Sequence, residues 1–189
     1  LFLGKRYKDD PNIIWVIGGD HPAFADSADW RPVWRAMAKG LKEGAGHTVL
    51  ITYHPAGESS STQFWKNEHM LDLHMMQSGH RTHDLPVWDW VKRDYDLTPA
   101  KPVLDGEPNY EDHPVNWDPK NGYFRDYDVR RQLYRSVFSG ACGVTYGHNS
   151  VFQFYGQGDQ KINFADRYWT EALDCPGAFQ AGYLKQLIL

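Results

Sequence analysis

Long apolar runs are missing from this 189-residue sequence. No stretch reaches the roughly 18 apolar residues of a membrane-spanning helix, so no membrane partner is expected. Cysteine is scarce. Cys142 and Cys175 are too few for a disulfide framework or a thiolate zinc cluster, and both read as buried, unpaired thiols. Positive charge is not in excess: 20 Lys and Arg stand against 24 Asp and Glu, for a net charge of -4. No arginine-rich arm occurs, so nucleic acid is not an expected partner. No GxGxxG motif follows an apolar run, which removes the dinucleotide-binding fingerprint. HExxH and paired-cysteine motifs are also missing, and no metal or cofactor is expected. No repeat, low-complexity tract or signal peptide is visible. The opening "LFLGKRYKDDPN" reads as the end of a helix followed by a turn, and a preceding N-terminal portion is expected.

Aromatic residues are plentiful, with 8 Trp, 11 Tyr and 9 Phe in a chain that is 41% hydrophobic. That is enough to build a core, and leaves aromatics to line a cleft that stacks on sugar rings. Strand-like apolar runs occur at 12–19 ("NIIWVIGG"), 47–54 ("HTVLITYH"), 71–78 ("LDLHMMQS"), 101–107 ("KPVLDGE") and 141–147 ("ACGVTYG"). Helical patterns alternate with them. Trp30, Trp34, Met37 and Leu41 recur at helical spacing after possible caps at Ser27 and Asp29, with Gly44 and Gly46 at the end. Residues 85–95, 127–140 and 176–189 form further helices, and 62–70 holds a short one.

Strand–helix alternation predicts parallel β/α units with right-handed crossovers. An open doubly wound sheet and a (β/α)8 TIM barrel both fit that order. Polar residues cluster at strand C-terminal ends: Asp20 and His21, His54, His80, Glu107, His148 and Asn149. That is where barrel active sites form. Five units in 189 residues average about 38 each, and eight would need on the order of 300, an ordinary barrel length. Residues 1–189 are therefore read as the C-terminal part, roughly the last five units, of a single barrel catalytic domain.

Asp20 and Glu107 each follow a strand and a glycine, in "GGD" and "DGE". Two such carboxyls suit glycoside hydrolysis, where one protonates the leaving oxygen and the other attacks or activates water. Many strand-end acids merely cap a helix. The stretches "RYKDDPNIIWVIGGDHP", "LDGEPNYE", "YGHNSVFQF" and "EALDCPGAFQAGYLK" resemble the apiosidase-like glycoside hydrolases of family 140, in order and over nearly the whole chain. The resemblance implies a barrel of the large retaining-glycosidase clan, with the acid/base after strand four and the nucleophile after strand seven. Counting back from the C-terminus, it makes Asp20 the acid/base and Glu107 the nucleophile. It further implies a plant cell-wall polysaccharide substrate, apiose side chains of pectin, and a secreted or periplasmic location. One departure is clear: the clan's strand-four Asn-Glu pair is replaced here by Gly19 and Asp20.

The neighbouring residues have candidate roles. Tyr110 is placed to hydrogen-bond the nucleophile or the sugar. His21, His54, His80 and His148 are candidate ligands for sugar hydroxyls, and Trp65 and Tyr146 candidate stacking faces. Glu111 reads as a solvated loop acid. The loop 57–65 reads as a flexible cover, and the longer loop 109–124 as the rim that sets substrate choice. Two rival readings stay open: a non-catalytic carbohydrate-binding barrel fragment, and a metal-dependent barrel hydrolase suggested by the histidine-rich strand ends. For activity, completion of the barrel by missing N-terminal units is expected to be needed.

Overall fold

The computed structural model describes residues 1–25, 27–66 and 68–189. In chain order the elements are α1 (Phe2–Arg6), β1 (Ile14–Ile17), β2 (Phe24–Ala25), β3 (Ala28–Asp29), α2 (Arg31–Ala45), β4 (Leu50–Tyr53), β5 (Ser59–Ser60), α3 (Thr62–Trp65), β6 (His74–Gln77), α4 (Val87–Tyr95), β7 (Val103–Asp105), α5 (Asp126–Phe138), β8 (Gly143–Val144), α6 (Asn149–Phe152), α7 (Trp169–Ala172) and α8 (Pro176–Ile188). Every expected strand run contains a strand, and each expected helix is present. The alternation is that of an α/β fold. The chain divides into two compact units, Leu1–Gln77 with Asp94–Leu104, and Ser78–Arg93 with Asp105–Leu189.

In the first unit, β1 and β4 run parallel with Ile17 opposite Tyr53. Their inward side chains join Ala38 and Leu41 of α2, with Trp65 and Leu71, in one buried cluster. The inward stripe of α2 is the buried Ala38, Leu41 and Ala45, with the partly buried Trp34 packed beside it. Trp30 and Met37, expected inward, are exposed, because Trp30 precedes the helix and Met37 lies at the edge of that stripe. Asp29 does serve the helix start, its Oδ1 accepting from the Arg31 N–H at 3.0 Å. Gly46, left-handed at φ 71°, ends the helix.

The stretch 57–65 is not a loose cover. Ser59 and Ser60 pair antiparallel with β6, a departure from an all-parallel sheet. Ser60, Ser61 and Thr62 are buried, and the hydroxyls of Ser60 and Thr62 donate to the carboxylate of the buried Asp94. The short helix read over 62–70 is limited to Thr62–Trp65, and Asn67 in that stretch lies outside the described residues.

In the second unit, α5 and α8 pack through Val129, Leu133 and Leu184, with Val144 and Tyr146 beside them. The long segment after β7 folds back on itself. Pro114 bridges to Tyr123, and Glu111, Asp112 and His113 are all buried.

Candidate active site

In the first unit, β1 ends in three consecutive left-handed residues, Gly18, Gly19 and Asp20, at φ 100°, 76° and 62°. A Cβ at Gly18 would lie 2.4 Å from the His54 carbonyl oxygen, so the turn passes only as glycine. Aspartate tolerates the left-handed region better than most side chains. The turn leaves Asp20 at the surface and lets its N–H donate to His54 Nδ1 at 3.2 Å. The neighbouring His21 is exposed, and its carbonyl accepts from the Tyr53 hydroxyl. Trp65 corrects the sequence reading. It is fully buried and packed edge-on against Tyr53 at 5.4 Å, so it has no open face for a sugar.

The second unit brings Glu107, His80 and Tyr110 together. At the end of β7, Asp105 is fully buried. Its carboxylate accepts from the hydroxyls of Ser78 (2.9 Å) and Ser136 (2.8 Å), and Gln132 donates in turn to Ser78 Oγ at 3.1 Å. Burial pushes the Asp105 carboxyl up to about 6 against these hydrogen bonds, with the Glu107 charge adding to the rise. The anchored strand end leads into Gly106 and Glu107. The Glu107 carbonyl accepts from Gly79 N–H at 2.9 Å, and its half-buried carboxylate meets His80 Nε2 at 3.2 Å.

His80 is oriented by its other nitrogen. The Tyr110 N–H points at Nδ1 at 3.4 Å, so Nδ1 is the acceptor and Nε2 carries a proton, facing Glu107. The His80 ring stacks on His113 at 4.3 Å and contacts Tyr110 at 4.6 Å. His113 Nδ1 lies 2.7 Å from the Pro114 carbonyl and so carries the proton. Burial, helped by the nearby His80, pushes its pKa down to about 4. His113 is therefore neutral at pH 7, and His80 presents its Nε2–H to one carboxylate oxygen of Glu107. His113 escaped the sequence reading because it ends no strand and lies 33 positions from its stacking partner.

The remaining candidates serve packing and ion pairing. Glu111 is buried, not solvated. It accepts from the Tyr146 hydroxyl at 2.6 Å and from Gly177 N–H at 3.3 Å, at the start of α8. Burial and the Glu111 bond both push the Tyr146 phenol up, so it remains a donor. His148 is also a correction. Its ring is buried, Nδ1 accepts from Ser150 N–H at 3.0 Å, and Nε2 faces Asp112 at 3.3 Å. It caps α6 and pairs an acid, with no face open to a sugar. Asp112 also pairs Arg167 at 2.9 Å and Arg125. Burial alone would raise the Asp112 carboxyl, but the His148 bond and the two arginines hold it below the usual range.

Among the described residues, Asp112, His148 and Cys175 have ligand atoms within 4.8 Å of one another. The trio does not suit a cation. The His148 nitrogen facing Asp112 carries a proton, and two guanidiniums already neutralise the carboxylate. Cys175 is buried as expected, whereas Cys142 is exposed, because only two residues of its run enter β8; both thiols are free.

Residues 1–189 match the family described as "Apiosidase-like, catalytic domain". The chain belongs to the apiosidase-like family. A solved structure titled "Glycoside hydrolase" is 41% identical, with a TM-score of 0.88, over 98% of this chain and 44% of its own. A family 5 glycoside hydrolase from Bacteroides vulgatus is 38% identical, with a TM-score of 0.90, over 98% of this chain and 43% of its own. A third solved structure, a putative glycoside hydrolase from the same organism, shares the fold at 17% identity and a TM-score of 0.66. The apiosidase-like chain thus spans less than half the length of these structures. No curated protein matches it. No described helix is long and apolar enough to cross a membrane.

Proposed function

We propose that this apiosidase-like chain carries the catalytic residues of a retaining glycoside hydrolase, with Glu107 as nucleophile and Asp20 as general acid/base. The observation that supports this most directly is the setting of Glu107. It is a half-buried carboxylate at the end of a strand, one oxygen held by His80 Nε2–H, on a backbone anchored by the buried Asp105 network. Such a carboxylate is held in a fixed direction by its histidine and its backbone. It attacks the anomeric carbon while Asp20 protonates the leaving oxygen. Asp20, now a base, then activates the water that releases the sugar. His21 and His54, beside Asp20, are assigned to sugar hydroxyls, and Tyr110 to the nucleophile or the sugar. The chemistry requires no cofactor.

The substrate we assign is plant cell-wall polysaccharide, specifically apiose side chains of pectin, and the setting is secreted or periplasmic. A branched furanose differs in shape from a pyranose, and this accommodates the replacement of Asn-Glu by Gly19-Asp20. We assign the chain to the last five units of a (β/α)8 barrel and expect activity to require the rest. Ile14 and Val16 of β1 and Leu50 of β4 are each about half exposed, an apolar row that further barrel units would cover.

The test is hydrolysis of apiose-bearing pectic oligosaccharide by the full-length protein. Glu107→Gln is expected to lower turnover on the order of 10⁴-fold without unfolding. Asp20→Asn is expected to slow poor leaving groups most and an activated aryl glycoside least. The first product should retain its anomeric configuration by NMR. An inverted product, or full activity in Glu107→Gln, would remove this mechanism.

A further inference from the structure

Trp117 is one ring away from the histidine that holds Glu107. Its indole lies 5.9 Å from the His80 ring at 76° and 5.7 Å from His113 at 89°. Neither imidazole lies flat on it, and the residue is 49% exposed. Its backbone is unusual. Asn116 and Trp117 have φ of 53° and 57°, two successive non-glycine residues in the left-handed region. Asparagine visits that region readily, but a bulky aromatic there is an outlier that the surroundings must enforce.

The enforcement is visible. Asn116 N–H donates to the His80 carbonyl at 2.8 Å, Trp117 N–H to Pro114 at 3.2 Å, and Val115 N–H to Gly122 at 3.0 Å. The Asn121 amide donates to the Val115 carbonyl at 3.1 Å. Turn chemistry alone favours glycine or asparagine at position 117, and the indole is held there with about half of its surface open to solvent beside the two imidazoles.

We infer that Trp117 is a carbohydrate-stacking platform that receives the C–H face of a sugar ring next to the residue cleaved at Glu107. The inference deepens the proposed function and rests on it for the substrate. A flat aromatic face in contact with the histidine that holds Glu107 suits a ring that is apolar on one face and hydroxylated at its rim. Phe152, 46% exposed and reached from His80 through Tyr110 by ring contacts of 4.6 and 5.8 Å, supplies a second face in the same aromatic row.

The experiment uses the full-length protein with Glu107→Gln, titrated calorimetrically with apiose-bearing oligogalacturonide, with and without Trp117→Asn. Asparagine fits the left-handed backbone, so the loop is expected to keep its shape. The expected result is a Kd raised about tenfold with a melting temperature equal or higher. An unchanged Kd overturns the platform, as does a lowered melting temperature with an unchanged Kd, which would make the indole a packing residue. Turnover of the same oligosaccharide by Glu107→Gln is read separately. Residual turnover removes the nucleophile assignment and leaves the affinity comparison at Trp117 standing.

Discussion

Asp105→Asn isolates the electrostatics beneath the nucleophile. The Asp105 carboxyl is pushed from 3.8 up to about 6, chiefly by complete burial. An acid whose folded pKa lies above its unfolded value holds more protons when folded in the interval between the two. Stability is therefore greatest below about 4 and is lost as the pH rises through about 6. At about 1.4 kcal/mol per pH unit, that interval is worth about 3 kcal/mol. His113 acts oppositely. Its folded pKa is pushed down to about 4 from 6.5, so its contribution is lost as the pH falls through that window. The two opposing slopes partly cancel in the wild-type curve, and the difference between wild type and variant separates them. Asparagine has nearly the shape of aspartate and stays neutral, and either serine hydroxyl can turn to accept from its amide. The assay is urea unfolding followed by circular dichroism from pH 4 to 7.5. Wild type minus Asp105→Asn should fall by about 3 kcal/mol across the range, with the variant the more stable protein at pH 7. A flat difference would show that burial does not hold the Asp105 proton, and the reasoning would fail.

Close backbone approaches yield two further tests. A Cβ at Gly147 would lie 2.1 Å from the Tyr110 ring. Gly147→Ala should displace Tyr110 from His80, lowering both hydrolysis and stability, the latter by about 1–3 kcal/mol in urea unfolding. A Cβ at Gly177 would lie 2.3 Å from Glu111 Oε2. Gly177→Ala should cost about 1–3 kcal/mol of stability, with the KM of any remaining activity unchanged if Glu111 only caps α8. Trp65→Ala should cost about 3–5 kcal/mol as a core deletion, and a conservative Trp65→Phe should leave sugar affinity alone. A change in affinity with intact stability would return Trp65 to the binding surface.

Much of the local architecture was legible from residue order. The run 12–19 announces β1, because apolar residues stop at two glycines, and Gly18 and Gly19 do adopt φ that other residues resist. Gly46 ends α2 for the same reason. The pairing of Glu107 with His80 was half legible: both end strands, but 27 positions separate them. Burial is the part that residue order does not show. Glu111 reads as a loop acid and His148 as an open strand-end ligand, and both are nonetheless buried, one capping α8 and the other pairing Asp112. The stretch 57–65 looks flexible in composition, yet its serines and Thr62 close on the buried Asp94.

Local periodicity and backbone sterics are properties of neighbouring residues, so strand ends, helix stops and the two strand-end acids, Asp20 and Glu107, are written in order along the chain. Which histidine stacks on which, why Trp117 is held in a left-handed turn, and whether Trp65 faces a sugar or a core depend on contacts tens of residues apart. Folding alone sets those contacts, because burial and the partner of each polar group are properties of the packed whole.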